Sequence, residues 1–120
     1  MELKRDCVKY IRDKAKSGYI KGPECEICGD TKKLDFHHYY TMTLLMRKYM
    51  KENSLEEYLV LEWRDEFIDD HGKEVYDDTV TLCHRHHLQL HSIYGKDPSL
   101  ATAKKQARWV QIQREKHGLV

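Results

Sequence analysis

The sequence predicts a mixed α+β fold, with two short strands among amphipathic helices, on three observations. Apolar residues recur at helical spacing near both ends of the chain and through its middle. Two brief strand-like runs interrupt that pattern. Three of the four cysteines and six of the eight histidines crowd into two windows, residues 25–39 and 81–91, each overlapping one of the runs. Such crowding of soft and borderline ligands ties a small fold together through metal ions.

At 120 residues the chain reads as one domain over 1–120, able to bury roughly two thirds of its unfolded surface without disulfides. It is 40% hydrophobic and 34% charged, with no apolar run near the ~18 residues of a membrane span. Met1-Glu2-Leu3-Lys4-Arg5 carries no secretory pattern, so the expectation is a soluble, cytoplasmic protein with no membrane partner. A Cys-x-x-Cys with a distant Cys-x-x-His points to zinc in a reducing compartment rather than to two disulfides, leaving Cys7 as a buried or free thiol. The net charge of +1 is unevenly spread. Residues 1–16 hold six Lys/Arg against three acidic residues and residues 95–120 hold six against two, whereas residues 43–71 hold four against eight. Basic ends around a neutral centre fit a polyanion bound across both termini, and ordinary solvated helix faces give the same pattern.

In chain order, Leu3, Cys7, Tyr10, Ile11 and Ala15 predict a helix over residues 2–16, part of a basic N-terminal segment 1–17 that ends at Ser17-Gly18. Gly22-Pro23 and Gly29-Asp30 bracket Cys25 and Cys28, as in a knuckle whose backbone turns tightly around an ion. Leu34 to Tyr40 reads as a strand. An insertion of residues 41–72 then reads as two helices, one with Leu44, Leu45, Tyr49 and Met50 and one with Leu55, Leu59 and Phe67. Ser54 with Glu57 reads as the capping box of the second. Asp78 to Leu82, with β-branched Thr79-Val80-Thr81, predicts the second strand. Cys83 or His84 opens a helix that stops at Gly95. Asp97-Pro98 starts a basic C-terminal helix within 97–117, with Leu100, Ala103, Ala107 and Val110 on its buried stripe.

Two ligand sets follow from spacing. Cys25 and Cys28 on one turn, with Cys83 and His86 three apart at a helix start, complete a tetrahedron for a structural zinc; His84 or His87 can substitute as the fourth ligand. His87 and His91, four apart, project from one helix face and can hold a second ion. His37 and His38 are adjacent on a strand and face opposite ways, so one is expected to be a ligand and the other to do different work.

At these residues the chain resembles the HNH endonucleases of the ββα-metal, or His-Me finger, superfamily, in the variety built on a zinc frame. The resemblance covers Cys25 to His38 and Asp78 to His91, through Leu34-Asp35-Phe36-His37-His38 and Thr79-Val80-Thr81-Leu82-Cys83-His84-Arg85-His86-His87-Leu88-Gln89-Leu90-His91. It implies a zinc-stapled ββα-metal finger with flanking and inserted helices, a DNA substrate, a catalytic divalent ion on His37, His87 and His91, and His38 as general base. Asp78 stands where the family has its middle asparagine, and His86 where a fourth cysteine is usual. Size and resemblance together suit a phage or mobile-element protein.

The chemistry is consistent with that expectation. A phosphodiester repels hydroxide, so its hydrolysis needs a cation on the phosphate and a base for the water; a neutral histidine, with a pKa near ~6.5, serves as that base at neutral pH. Magnesium prefers oxygen ligands, so an all-histidine set also accepts manganese, nickel or zinc. DNA is expected to contact Lys32, Lys33 and Arg85 near the site and Lys104, Lys105, Arg108 and Arg114 on the last helix, through phosphates rather than bases. Trp109 is expected to anchor the core. The rival expectation is a catalytically silent zinc module that binds DNA or protein, which Asp78 keeps open; a deaminase-like enzyme is remote because no His-x-Glu lies beside the cysteine pair. The sequence leaves open the strandedness and sequence preference of the DNA, and whether a homodimer cuts both strands.

Overall fold

The computed structural model describes residues 3–119 and is α+β: five α-helices around a two-stranded antiparallel sheet among the described residues. In order they are α1 (Cys7–Ala15), β1 (Leu34–His38), α2 (Met42–Asn53), α3 (Val60–Asp70), β2 (Thr79–Cys83), α4 (His84–Tyr94) and α5 (Ala103–Lys116). Short 3-10 turns at Lys16–Gly18, Glu57–Leu59 and Leu100–Thr102 and a π-helical turn at Lys73–Asp77 join them. The strands pair from Leu34 opposite Cys83 to His38 opposite Thr79. That register sets the end of β1 bearing His37 and His38 away from Cys83, where β2 turns into α4. No helix among the described residues is long and apolar enough to cross a membrane.

Two hydrophobic cores flank the sheet. The first joins α1, α2 and α3 through Ile11, Ala15, Met42, Val60 and Phe67, all nearly or fully buried. Burying a side chain such as Phe67 contributes roughly 1.5–3 kcal/mol. The second joins the knuckle, β2, α4 and α5 through Ile27, Leu82, Leu90 and Val110, with Trp109 packed against it. Residues 41–72 therefore supply most of a core that holds α1 in place.

Several element boundaries differ from those the sequence predicts. The first helix starts at Cys7, with Asp6 at its N-cap in an extended conformation; Leu3 to Arg5 are non-helical and Glu2 lies outside the described residues. Asp6 opens the helix through its backbone alone, its carbonyl accepting from the Lys9 N–H at 3.0 Å while its side chain makes no cap bond. Arg5 turns back to pair with Asp13. The strands shift by one or two residues, β1 ending at His38 and β2 running from Thr79 to Cys83. Ser54 does not cap α3: it ends α2 in the left-handed region at φ 52°, with the Leu55 N–H donating to Met50 O at 2.9 Å. The buried stripe of α3 is Val60, Trp63 and Phe67, because a 3-10 turn first consumes residues 57–59. Before the last helix Ser99, not Asp97, caps the 3-10 turn Leu100–Thr102 that leads into α5, its hydroxyl accepting from the Ala101 N–H at 3.3 Å; Thr102 is the N-cap of α5 itself.

The sign of one substitution separates the two roles of Ser54. In the left-handed region a β-carbon is strained, so Ser54→Gly is expected to raise unfolding free energy by about 0.5 kcal/mol; at an N-cap it would lower it by a few tenths. Denaturant unfolding of the two chains reads the sign.

Candidate metal centres and active site

The knuckle is a turn whose backbone closes on itself: the Cys25 N–H donates to Asp30 O at 2.7 Å and the Gly29 N–H to Cys25 O at 2.8 Å, with Gly29 at φ 78°. Glu26 N–H donates to Thr81 O at 3.0 Å and so fastens the turn to β2. On the other side Cys83 ends β2 and caps α4, and His86 lies in the first turn of that helix. The ligand atoms of Cys25, Cys28, Cys83 and His86 all lie within 4.8 Å of one another. Cys28 Sγ and Cys83 Sγ are 3.9 Å apart, and His86 Nδ1 lies 3.2 Å from Cys83 Sγ and 3.8 Å from Cys25 Sγ. Sulfurs bound at ~2.3 Å to one tetrahedral ion stand about 3.8 Å apart, so the set fits such an ion.

The electrostatics of the thiols agree with that fit. Burial opposes ionisation of Cys25, but the N–H groups of Cys83, Cys28 and Ile27 outweigh it and hold its pKa below the ordinary thiol value. Burial pushes Cys83 up, and the neighbouring Cys25 and Cys28 sulfurs push it further. Adjacent thiolates repel unless a cation lies between them. Of the three histidines that could complete the set, His86 is the one placed there; His84 and His87 turn instead to Asp35, their Nδ1–H groups donating to its Oδ2 at 3.0 and 3.1 Å. Cys7, on α1, is buried in the first core with its pKa raised to about 11 by burial and by Glu57.

The other histidines meet at the far end of β1. Strand alternation puts Asp35, His37 and Tyr39 toward α4 and α5, and Phe36 and His38 toward Tyr19 and the π-helical turn. His37, His87 and His91 bring ligand nitrogens within 4.8 Å of one another. His37 Nδ1 lies 3.1 Å and His91 Nε2 3.0 Å from His87 Nε2. The opposite nitrogen of each ring is already engaged. His87 Nδ1–H donates to the Asp35 carboxylate, His91 Nδ1–H to Gly95 O at 2.8 Å, and His37 Nε2–H to Gln106 Oε1 at 2.8 Å. A carbonyl or carboxylate can only accept, so the three inward nitrogens carry lone pairs. Three facing lone pairs repel unless a cation draws them in, and separations near 3 Å suit neighbouring ligands each ~2.1 Å from one ion. These residues can therefore hold a metal ion, with their outer nitrogens supported as ligating histidines usually are.

His38 is not part of that triad. Its Nε2–H donates to Val75 O at 2.9 Å, where the π-helical turn exposes a carbonyl, leaving Nδ1 unprotonated. Burial lowers the pKa of His37 and of His38 to about 4; Arg12 adds to the effect on His38. Burial lowers that of His87 too. His37 and His38 are thus neutral near pH 7, and the four histidines line one cavity of about 200 Å³ whose walls also carry Arg12 and Lys96.

The remaining sequence candidates lie apart. Asp78 does not line the cavity: its carboxylate pairs with Lys73 Nζ at 2.9 Å, and its backbone carbonyl accepts from the Tyr39 N–H at 3.1 Å, which ties the strands beyond His38. Lys32, Lys33, Arg85, Lys104, Lys105 and Arg108 are exposed. Arg114 is half-buried and engaged within the chain, donating to Glu26 O at 2.8 Å and pairing with the Glu26 carboxylate at 3.5 Å. Sequence reasoning missed Asp35, Gln106, Arg12 and Lys96. Asp35 had a signal, since it lies two residues before His37 and so on the same strand face. Gln106 had a fainter one, as the polar residue within the buried stripe of Ala103 and Val110. Nothing in the sequence marks Arg12 or Lys96.

The family model of the phage T5 nicking endonucleases, described as a nicking endonuclease family, matches residues 1–118. No solved structure matches the chain.

The two clusters predict separable losses. Cys83→Ser is expected to lose a tightly bound metal and the cooperative unfolding transition together, whereas His91→Ala keeps both. Elemental analysis beside thermal unfolding checks this, and a Cys83→Ser protein that still holds its metal and melts like the parent removes Cys83 from the ligand set.

Proposed function

Because the chain belongs to the nicking endonuclease family, whose members cut DNA, we propose that it does so as an HNH-type, divalent-metal-dependent nuclease with His38 as general base. The observation that carries this reading is the ordering of ring protons around one cavity. His37, His87 and His91 bring three nitrogens within 4.8 Å of one another, and His38, whose Nε2 is held by Val75 O, lines the same cavity. The cysteine frame of Cys25, Cys28, Cys83 and His86 is read as a structural zinc site, since four closed ligands leave no position for substrate.

His37, His87 and His91 would hold a divalent ion, which would supply positive charge to stabilise the phosphate under attack. The protein does the rest. His38, held by Val75 O, takes a proton on Nδ1 from the attacking water as the water oxygen bonds to phosphorus and the bond to the leaving oxygen breaks. Its low proton affinity keeps it unprotonated when substrate arrives. Arg12 and Lys96 face the phosphate from the cavity walls, where the guanidinium of Arg12 can hold two phosphate oxygens at once. Lys32, Lys33 and Arg85, near the start of α4, and Lys104, Lys105 and Arg108, on α5, hold the flanking backbone through salt-dependent contacts. One such cavity per chain cuts one strand, which suits a nick rather than a double-strand break.

Conversion of supercoiled plasmid to open circles, with magnesium, manganese or nickel and an EDTA control, tests the reading. His38→Ala is expected to lose about 10²–10⁴-fold in rate with its melting temperature and DNA affinity unchanged. Unaltered cleavage by that variant removes His38 as the base. Arg12→Ala is expected to lose about 100-fold in kcat/KM; a loss confined to DNA affinity would place Arg12 among the flanking contacts instead.

A further inference from the structure

His37 is the member of the triad that comes from the strand, and it is nearly fully buried. A neutral imidazole can carry its proton on either nitrogen, and only the Nε2–H form leaves Nδ1 free to face His87. The residue that decides between the two forms lies well outside the finger, on α5. Gln106 is fully buried, and its side-chain oxygen sits 2.8 Å from His37 Nε2. An amide placed the other way round would present a donor to that nitrogen and force the proton to Nδ1, closing the site to any cation.

Two independent contacts forbid that flip. Gln106 Nε2 donates to Tyr39 O at 3.2 Å, and a carbonyl can only accept. Its other hydrogen goes to Thr102 Oγ1 at 3.0 Å, and Thr102 must accept because its own hydroxyl hydrogen is given to Ser99 O at 2.6 Å. A chain of donors thus runs from the turn before α5, through Thr102 and Gln106, and ends by fixing the proton of His37.

We propose that Gln106 is a positioning residue for the histidine centre, holding His37 in the Nε2–H tautomer so that Nδ1 is always presented to a divalent cation. The inference rests on the reading of His37, His87 and His91 as an ion site. It adds a part played by the C-terminal helix that the ligand spacing does not contain. Acting through His37, Gln106 touches neither the ion nor the DNA.

The test uses the full chain isolated with the ion of its cysteine frame in place. Long-range proton–nitrogen NMR of the histidine rings, before any second ion is added, is expected to show His37 protonated at Nε2 only; a ring protonated at Nδ1 overturns the proposal. Nickel is then titrated calorimetrically into the parent and two variants. Gln106→Leu removes the acceptor and is expected to weaken nickel binding about 10- to 100-fold. Gln106→Glu keeps an oxygen for His37 while giving up the amide, and is expected to bind nickel within a few-fold of the parent. A purely structural glutamine predicts equal damage from both changes, or a loss of melting temperature with no loss of nickel affinity, and either result overturns the proposal. The underlying ion reading fails separately: a parent protein that shows the Nε2–H ring yet binds no second nickel retains the tautomer lock and loses the ion centre.

Discussion

One helix serves both ligand clusters, and the rest of the structure is arranged around that constraint. Successive α-helical residues are 100° apart, so in α4 His86 turns to the cysteine knuckle while His87 and His91, one turn apart, turn to His37. A displacement of α4 along or about its axis moves both sets at once. The helix is fixed at its start by Cys83, which belongs simultaneously to β2 and to the four-ligand cluster. It is fixed at its end by Gly95, whose φ of 92° lets the chain reverse so that its carbonyl receives His91. An ion held among the cysteines, whose binding in small domains is itself folding free energy, would therefore also set the geometry of the histidines.

The outer nitrogens of the four central histidines are held by parts of the chain that share no motif. Asp35 comes from β1, Gly95 from the end of α4, Gln106 from α5, and the Val75 carbonyl from the π-helical turn before β2. The cavity is gripped from several sides, which gives the helices outside the two strands and α4 a part in holding it. The first core works to the same end. Packing α2 and α3 against α1 holds the helix that carries Arg12, which lines the cavity together with Thr41 and Met42.

The ligand clusters were legible because their spacings are short and bear directly on element periods: three apart on a turn, three or four apart on a helix, one apart on a strand. The same reasoning put the elements in the right order. It failed where a local signal had two meanings. Ser54 before Glu57 has the composition of an N-cap, yet the chain needed a left-handed residue to end α2, and tertiary packing of Val60, Trp63 and Phe67 chose the register of α3. Asp97-Pro98 likewise looks like a helix start, but Pro98 O is taken by the Thr41 hydroxyl at 2.5 Å, and the cap passes to Ser99. Arg12 left no mark in the sequence and Gln106 only a faint one for a different reason: the His37 that Gln106 meets is 69 positions away along the chain, and no periodicity encodes a contact of that kind.

Charge shows how little a sequence count says about a binding face. Arg114 adds to the positive total of the C-terminal segment, but its guanidinium is committed to Glu26 and clamps α5 to the knuckle. Asp13 draws Arg5 into a pair, and Asp78 holds Lys73, so part of the positive charge is cancelled within the chain before any ligand arrives. Arg12, by contrast, has no ion pair among the described residues. Arg12 lines a cavity that also carries Lys96 and Asp97, beside His37 and His38, both neutral near pH 7, in a chain whose net charge is only +1. A phosphate at that cavity would meet Arg12 and Lys96 directly, without a basic surface spread over the whole molecule.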